Sequence, residues 1–290
     1  MFAALYGELV LHPRHDPPDD LSQDAYSLFY ARSAAMGWLT PSVENASGGF
    51  WGMNDAEAGP GSGPQPSRVA WFQVGLTEPA PVSQPLPVEA FLSCAADVVA
   101  RLGALRLQAV QILLPEQEVV DGQPASPSGM RVASPLLAAA NWFADCDPNL
   151  RAPVQVTLDG GSDPSIRAAA PAILQRVRAI RQEVFVCDSF SLADDDHLVL
   201  RPAVMDEGRP GTAHHRATFR GTLAEWSLDA LGWLAAFLAD ASSRQGVSTP
   251  LMLTASPSAG QVRPPVEFGD GPTGTWRLVS DAGRRGGYAP

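Results

Sequence analysis

Residues Ser227–Gly246, SLDALGWLAAFLADASSRQG, read as one helix that is apolar on almost every side. Leu228, Leu231, Leu234, Ala235 and Leu238 form one stripe at helical spacing, and Trp226, Trp233 and Phe237 form a second, about a third of a turn away. A surface helix carries a wide charged face, yet Asp229 and Asp240 are the only charges here before Arg244. The pattern predicts a helix with a packing partner on either side. Its ends are marked by Ser227 as N-cap, by Asp229 in the first turn where the helix dipole favours an acid, and by Gly246 as the stop.

The segment before this helix alternates. In Arg216–Leu223, Ala217, Phe219, Gly221 and Leu223 interleave with Thr218, Arg220 and Thr222, the period of a half-buried strand. Val69–Leu76 repeats the pattern 147 residues earlier, with Ala70, Phe72 and Leu76 identical to Ala217, Phe219 and Leu223. Three identities do not establish a repeat, so the flanking elements must decide.

Working outward, Phe2–Leu11 reads as a first strand, Leu21–Leu39 as a helix, and Gly49–Met53 as a second strand. The Gly/Pro-rich stretch Asp55–Ser67 reads as a long hairpin loop leading to Val69–Leu76. Val88–Leu105 is a helix with Phe91, Leu92, Ala95, Val98, Val99 and Leu102 inward, and Gln108–Leu114 closes the unit. After a polar link, Pro135–Ala144 reads as a connecting helix, and the order recurs. Val154–Leu158 is a strand and Ile166–Glu183 a helix, with Pro171 either kinking it or marking its first turn. His197–Val204 pairs with Arg216–Leu223 in a hairpin, and Pro250–Thr254 closes the second unit after the twin-faced helix. Val184–Phe190 is left as an extra extended segment.

Strand, helix, strand, strand, helix, strand is the order of a ferredoxin-like sandwich, an antiparallel sheet with helices on one face. The expected fold class is therefore α+β, with two tandem ferredoxin-like (βαββαβ) modules arising by internal duplication. Their expected extents are 1–130 and 151–257, joined by a connecting helix and linker over 131–150 and followed by a Gly/Pro-rich tail over 258–290 with a strand-like island at Thr275–Val279. Two such modules pack open face to open face, as in a dimeric α/β barrel, or side by side.

Composition narrows the chemistry. The chain of 290 residues carries a net charge of −11, with 16 acidic and 6 basic side chains up to residue 150 against 15 and 14 beyond. An acidic first half disfavours nucleic acid, whose phosphates are bound by basic groups. All 20 basic residues are arginine, which excludes mechanisms needing a lysine amine, such as a Schiff base or a P-loop. The lysine-free, Pro- and Gly-rich composition is what a GC-rich bacterial genome would encode. Cys94, Cys146 and Cys187 are odd in number and widely spaced, so neither a disulfide framework nor a zinc knuckle is expected. The N-terminus lacks the basic region of a signal peptide, and no apolar run approaches the roughly 18–20 residues that span a bilayer. A cytoplasmic location and no membrane partner are expected.

Candidate chemistry is sparse. His12, His15 and Asp16, with Asp19 and Asp20, gather metal-ligating types in one proline-rich loop, although a solvated acidic loop explains them as well and no bound metal is expected. Asp194-Asp195-Asp196-His197 reads as a charged turn. His214 and His215 open a strand, so their side chains point to opposite faces, and either is a candidate general base or ligand. Trp51, Trp71, Trp142, Trp226, Trp233 and Trp276 line a cavity or fill cores, the second being the usual use of large aromatics. Gly59, Gly61 and Gly63 do not make a dinucleotide fingerprint, and no G-x-S-x-G or H-E-x-x-H occurs.

The resulting expectation is a non-catalytic protein that binds or assembles another protein, a basic one suiting its acidic first half, as an adaptor, chaperone or immunity-type partner, with no cofactor. The alternative is a small-molecule enzyme or binder of the dimeric α/β barrel kind, cofactor-free or haem-using, with His214 or His215 as base or axial ligand in a cavity between the modules.

Overall fold

A computed structural model describes residues 1–13, 24–39, 51–62, 66–76, 80–81, 86–118, 134–192, 214–247 and 250–258. Strand β1 (Phe2–Leu11) is followed by α1 (Ala25–Ala35), β2 (Trp51–Ala58), β3 (Ser67–Leu76), the two-residue β4 (Ala80–Pro81), α2 (Val88–Leu102), β5 (Gly103–Leu114) and the two-residue β6 (Gln117–Glu118). Helix α3 (Ser134–Ala140) leads to β7 (Ala152–Asp159), α4 (Ser165–Ala179), β8 (Phe185–Ser191), β9 (Arg216–Leu223), α5 (Leu228–Ser243) and β10 (Leu251–Pro257). The protein is α+β, with eight strands in one antiparallel sheet of order β2-β3-β1-β5-β10-β7-β9-β8. Strands β4 and β6 form a separate parallel pair.

Strands β5 and β10 lie side by side at the centre, Leu114 opposite Leu251 and Val110 opposite Ala255. Outward from that line, the neighbours are β1, β3, β2 on one side and β7, β9, β8 on the other. The face-to-face arrangement considered from the sequence is therefore not the one adopted. Helices α1 and α2 pack on each other, α2 packs on α5, and α5 packs on α4 and α3. Alternate strand residues, among them Leu5, Phe72, Ile112, Val156, Phe219 and Leu253, join the helices in one continuous core. The opposite face of β1 and β5 holds a small separate cluster of Phe2, Ala4, Tyr6 and Ala109, against Trp71 and Leu113.

Helix α5 meets its sequence expectation. Every one of its residues except Asp229 is buried, and Ser227 caps it, its hydroxyl accepting from the Ala230 N–H at 3.1 Å. Leu231, Leu234, Phe237 and Leu238 are each 1% exposed or less, and burial of each contributes about 1.5–3 kcal/mol. Trp233 stacks on Phe237 at 4.7 Å and donates its Nε1–H to the Leu136 carbonyl of α3 at 2.7 Å, so the connecting helix closes over α5. Gly246 follows with φ +80°, the left-handed conformation that ends helices.

Several boundaries differ from expectation for identifiable reasons. Strand β2 runs on to Ala58, through residues read as loop, because an edge strand with one solvated face accommodates Asp55 and Glu57. Strand β5 starts at Gly103, directly after α2, and Gly103 itself ends the helix with extended backbone. Pro171 lies inside α4 rather than at its start. The segment read as extra is β8, the hairpin partner of β9 at the sheet edge. His197–Val204, expected in that place, and Thr275–Val279 lie outside the described residues.

The chain's α-amine is part of the sheet. The Met1 N–H donates to the Val74 carbonyl at 2.8 Å, and burial lowers the amine from its ordinary 8.0 to about 6. Folding therefore releases a proton that the unfolded chain retains between those values, so this contribution is complete above pH 8 and is lost as pH falls through 6. A stability loss of about 2 kcal/mol is expected from this group between pH 8.5 and pH 5.5, discounted for its partial exposure. Urea unfolding of the free-amine and N-acetylated chains checks this. An identical pH slope in both would show that the amine does not contribute.

Candidate functional site

The two histidines singled out in the sequence sit where β7 ends and β9 begins, at one corner of the sheet. Asp159, the last residue of β7, lies directly opposite Arg216, the first of β9, and opposite Met252 on its other side. Beyond the strands, the Gly160 N–H bonds the His215 carbonyl at 3.0 Å and the His215 N–H bonds the Gly161 carbonyl at 2.8 Å, which extends the pairing to His215. The chain then turns into α4, where the Asp163 carboxylate accepts from the Ser165 N–H at 2.8 Å.

One carboxylate organises the corner. Asp159 Oδ1 accepts from the Gly161 N–H at 2.8 Å, while Oδ2 lies 3.1 Å from His214 Nδ1 and accepts from Arg216 Nε at 2.8 Å. The Asp159 side chain is 10% exposed, against 33% for His214 and 30% for Arg216. A buried carboxylate thus holds two outward-reaching nitrogenous side chains. Alternation sends His215 to the other face, where its Nδ1 is buried without a hydrogen-bond partner among the described residues.

The Asp159–His214 pair has the orientation in which a carboxylate steadies a catalytic imidazole. Two features separate it from that use. Arg216 already neutralises the carboxylate, and among the described residues no hydroxyl or thiol bonds His214 Nε2. Along the same face of β9, the Thr218 hydroxyl lies 2.9 Å from that of Thr157, and Arg220 follows. The arrangement can bind and orient a polar group, but it does not by itself contain a nucleophile.

The remaining candidates are dispersed. His12 is exposed, with Nε2 3.2 Å from the Ala100 carbonyl, while His15, Asp16 and the Asp194–His197 cluster lie outside the described residues. Among the described residues no three His, Cys, Asp or Glu side chains are grouped to hold a metal ion. The three cysteines are free thiols, and burial pushes Cys187 up to about 11. No described helix is long and apolar enough to cross a membrane. With one sheet in place of two facing ones, a cavity between sheets has no counterpart in the described fold.

Three residues were missed in the sequence. Asp159 and Arg216 escaped because they are far apart in the chain and meet only through the pairing of β7 with β9. Trp142 was grouped with aromatics that line a cavity or fill a core, but it is 79% exposed, in the turn that follows α3 and precedes the acidic Asp145 and Asp147. Trp233 and Trp51 do fill the core, and Trp71 lies on the helix-free face, stacked on Phe2 and donating to Glu57 at 2.9 Å. The chain matches no protein-family model, and neither a curated protein nor a solved structure was found to match it.

Proposed function

We propose that the chain is a pair of ferredoxin-like modules, related by internal duplication, that acts as a non-catalytic cytoplasmic interaction or assembly protein for a basic protein partner. Duplication is supported by the equivalent places of β3 and β9, each third in its half and next to the sheet edge, with Phe72 and Phe219 both fully buried toward the helices. Side-by-side joining makes one continuous sheet across both halves.

The observation that carries the interaction reading is Trp142. A tryptophan 79% exposed on the segment between the halves is the type of anchor that dominates protein interfaces. Asp145 and Asp147 follow it in the chain, and the first 150 residues carry the chain's excess negative charge. A partner with an apolar recess ringed by arginine or lysine complements both features.

The test is a native mass spectrum of the untagged protein purified from its own cells at low salt, repeated with Trp142→Ala. A stoichiometric protein partner is expected, its occupancy falling at least tenfold in the variant, which corresponds to about 1.4 kcal/mol of a hot-spot contact, and falling again as salt is raised. A lone chain carrying a small-molecule mass or a visible chromophore would overturn this reading in favour of a ligand-binding protein.

A further inference from the structure

We propose that His214 and Arg216, held by Asp159, form a binding site for a small tetrahedral oxyanion such as phosphate or a phosphate monoester. Asp159 engages His214 through Nδ1 and Arg216 through Nε, so the groups left over are His214 Nε2 and the two Nη of Arg216. None of these three atoms has a partner among the described residues. Both side chains meet the one Asp159 carboxylate, His214 Nδ1 lying 3.3 Å from Oδ1 and 3.1 Å from Oδ2 and Arg216 Nε 2.8 Å from Oδ2, and each is about one-third exposed on a nine-tenths buried anchor.

The chemistry of the leftover groups selects the ligand. The end of a guanidinium offers two parallel N–H groups matched to two oxygens of a phosphate or carboxylate. The imidazole nitrogen adds a third contact in either protonation state, donating to P–O⁻ when charged and accepting from P–OH when neutral. Three contacts from two planes suit a tetrahedral anion better than a planar carboxylate, which presents two oxygens in one plane. Beyond Arg216 on the same strand face come Thr218, whose hydroxyl pairs with Thr157, and the cationic Arg220. The site also belongs to the half of the chain whose charge nearly balances, 15 acidic against 14 basic residues, and not to the acidic half.

Inorganic phosphate is the probe, titrated into the full chain at constant ionic strength while the Arg Nε and His ring resonances are followed by NMR. Saturable shifts at His214 and Arg216 are expected, with a dissociation constant of about 1 mM. Affinity should fall at least tenfold in His214→Asn and in Arg216→Lys, and acetate should compete at least tenfold more weakly than phosphate. No saturation by about 50 mM phosphate, roughly fifty times the expected constant, would overturn the proposal. So would undiminished affinity in both variants, which would make the trio a structural brace, and so would acetate binding as well as phosphate. If either variant fails to fold, the position of the shifts in the unmodified chain decides alone. This result is independent of whether Trp142 recruits a protein.

Discussion

Replacing Gly232 by alanine is expected to destabilise the protein by about 2–3 kcal/mol, although the same change in an exposed helix would stabilise it by about 1 kcal/mol. The two effects oppose each other, and the local geometry decides between them. A Cβ at Gly232 would stand 2.8 Å from Glu89 Cα and 3.2 Å from the Val88 carbonyl oxygen. Both are backbone atoms at the start of α2, so no rotamer change relieves the overlap; α2 and α5 must separate. Separation would disturb more than one contact, because Asp229, one turn before Gly232, also faces α2. Burial, then repulsion from Asp229, raises the Glu89 carboxyl above its ordinary range; burial likewise raises Asp229, against a lowering hydrogen bond to Ser93. Gly52→Ala, where nothing lies within 4 Å of the added carbon, serves as the matched control and should be near neutral. Chemical unfolding of both variants tests the contact. A Gly232→Ala protein as stable as the parent would mean that the two helices do not meet through their backbones.

This contact explains why so much of the fold was legible from one helix. An apolar run with no charged face can exist only between layers, and α5 has α2 on one side, α4 on the other and the sheet beneath. Strands β3 and β9 were legible for a related reason. Each has neighbours on both edges and one face on the core, which imposes strict alternation and keeps the register of Phe72 and Phe219. The edge strands were legible only in part: Gly49–Met53 covers the start of β2, and Val184–Phe190 marked β8 as extended without its place in the sheet. Strand β8 has a partner on one side only and an irregularity between Cys187 and Ser189, which breaks the alternation that would have marked it. Strand β2 has a similar irregularity between Met53 and Asp55 and carries acids toward solvent, so its half beyond Met53 read as loop.

The candidate site was half legible on the same physical grounds. Alternation placed His214 and His215 on opposite faces, and the two rings do lie in different surroundings. What alternation cannot supply is the group across the strand. Asp159 lies one residue past the strand read as Val154–Leu158, and its role emerges only when His214 and Arg216 come to it from 55 and 57 residues away. Trp142 failed for the opposite reason, since its residue type favours burial and only the position of α3 against α5 reveals that it faces outward.

The far side of α5 yields the second large effect. Asp240→Ala is expected to cost about 3–5 kcal/mol, more than any surface ion pair. Asp240 is 6% exposed, and its carboxylate accepts from Arg244 Nε at 2.8 and 3.0 Å and lies 3.5 Å from Arg176 Nη2 on α4. The two arginines differ in what the loss would do to them. Arg244 is 30% exposed and can turn its charge into water, whereas the Arg176 side chain is 9% exposed. Burial already lowers Arg176 from the ordinary guanidinium range, against the opposing attraction of Asp240. Removing that carboxylate leaves a positive charge in the α4–α5 interface without this counter-charge, and the desolvation cost is no longer offset. Pairing the change with Arg176→Met should recover most of the loss, because an apolar side chain of similar length replaces an ion that was costly to bury. Equilibrium unfolding of the two single variants and the double variant measures the coupling, expected to reach about 2 kcal/mol or more. A cost below about 1 kcal/mol for Asp240→Ala, with no coupling to Arg176, would mean that the guanidinium reaches solvent and that apolar packing alone holds α4 against α5.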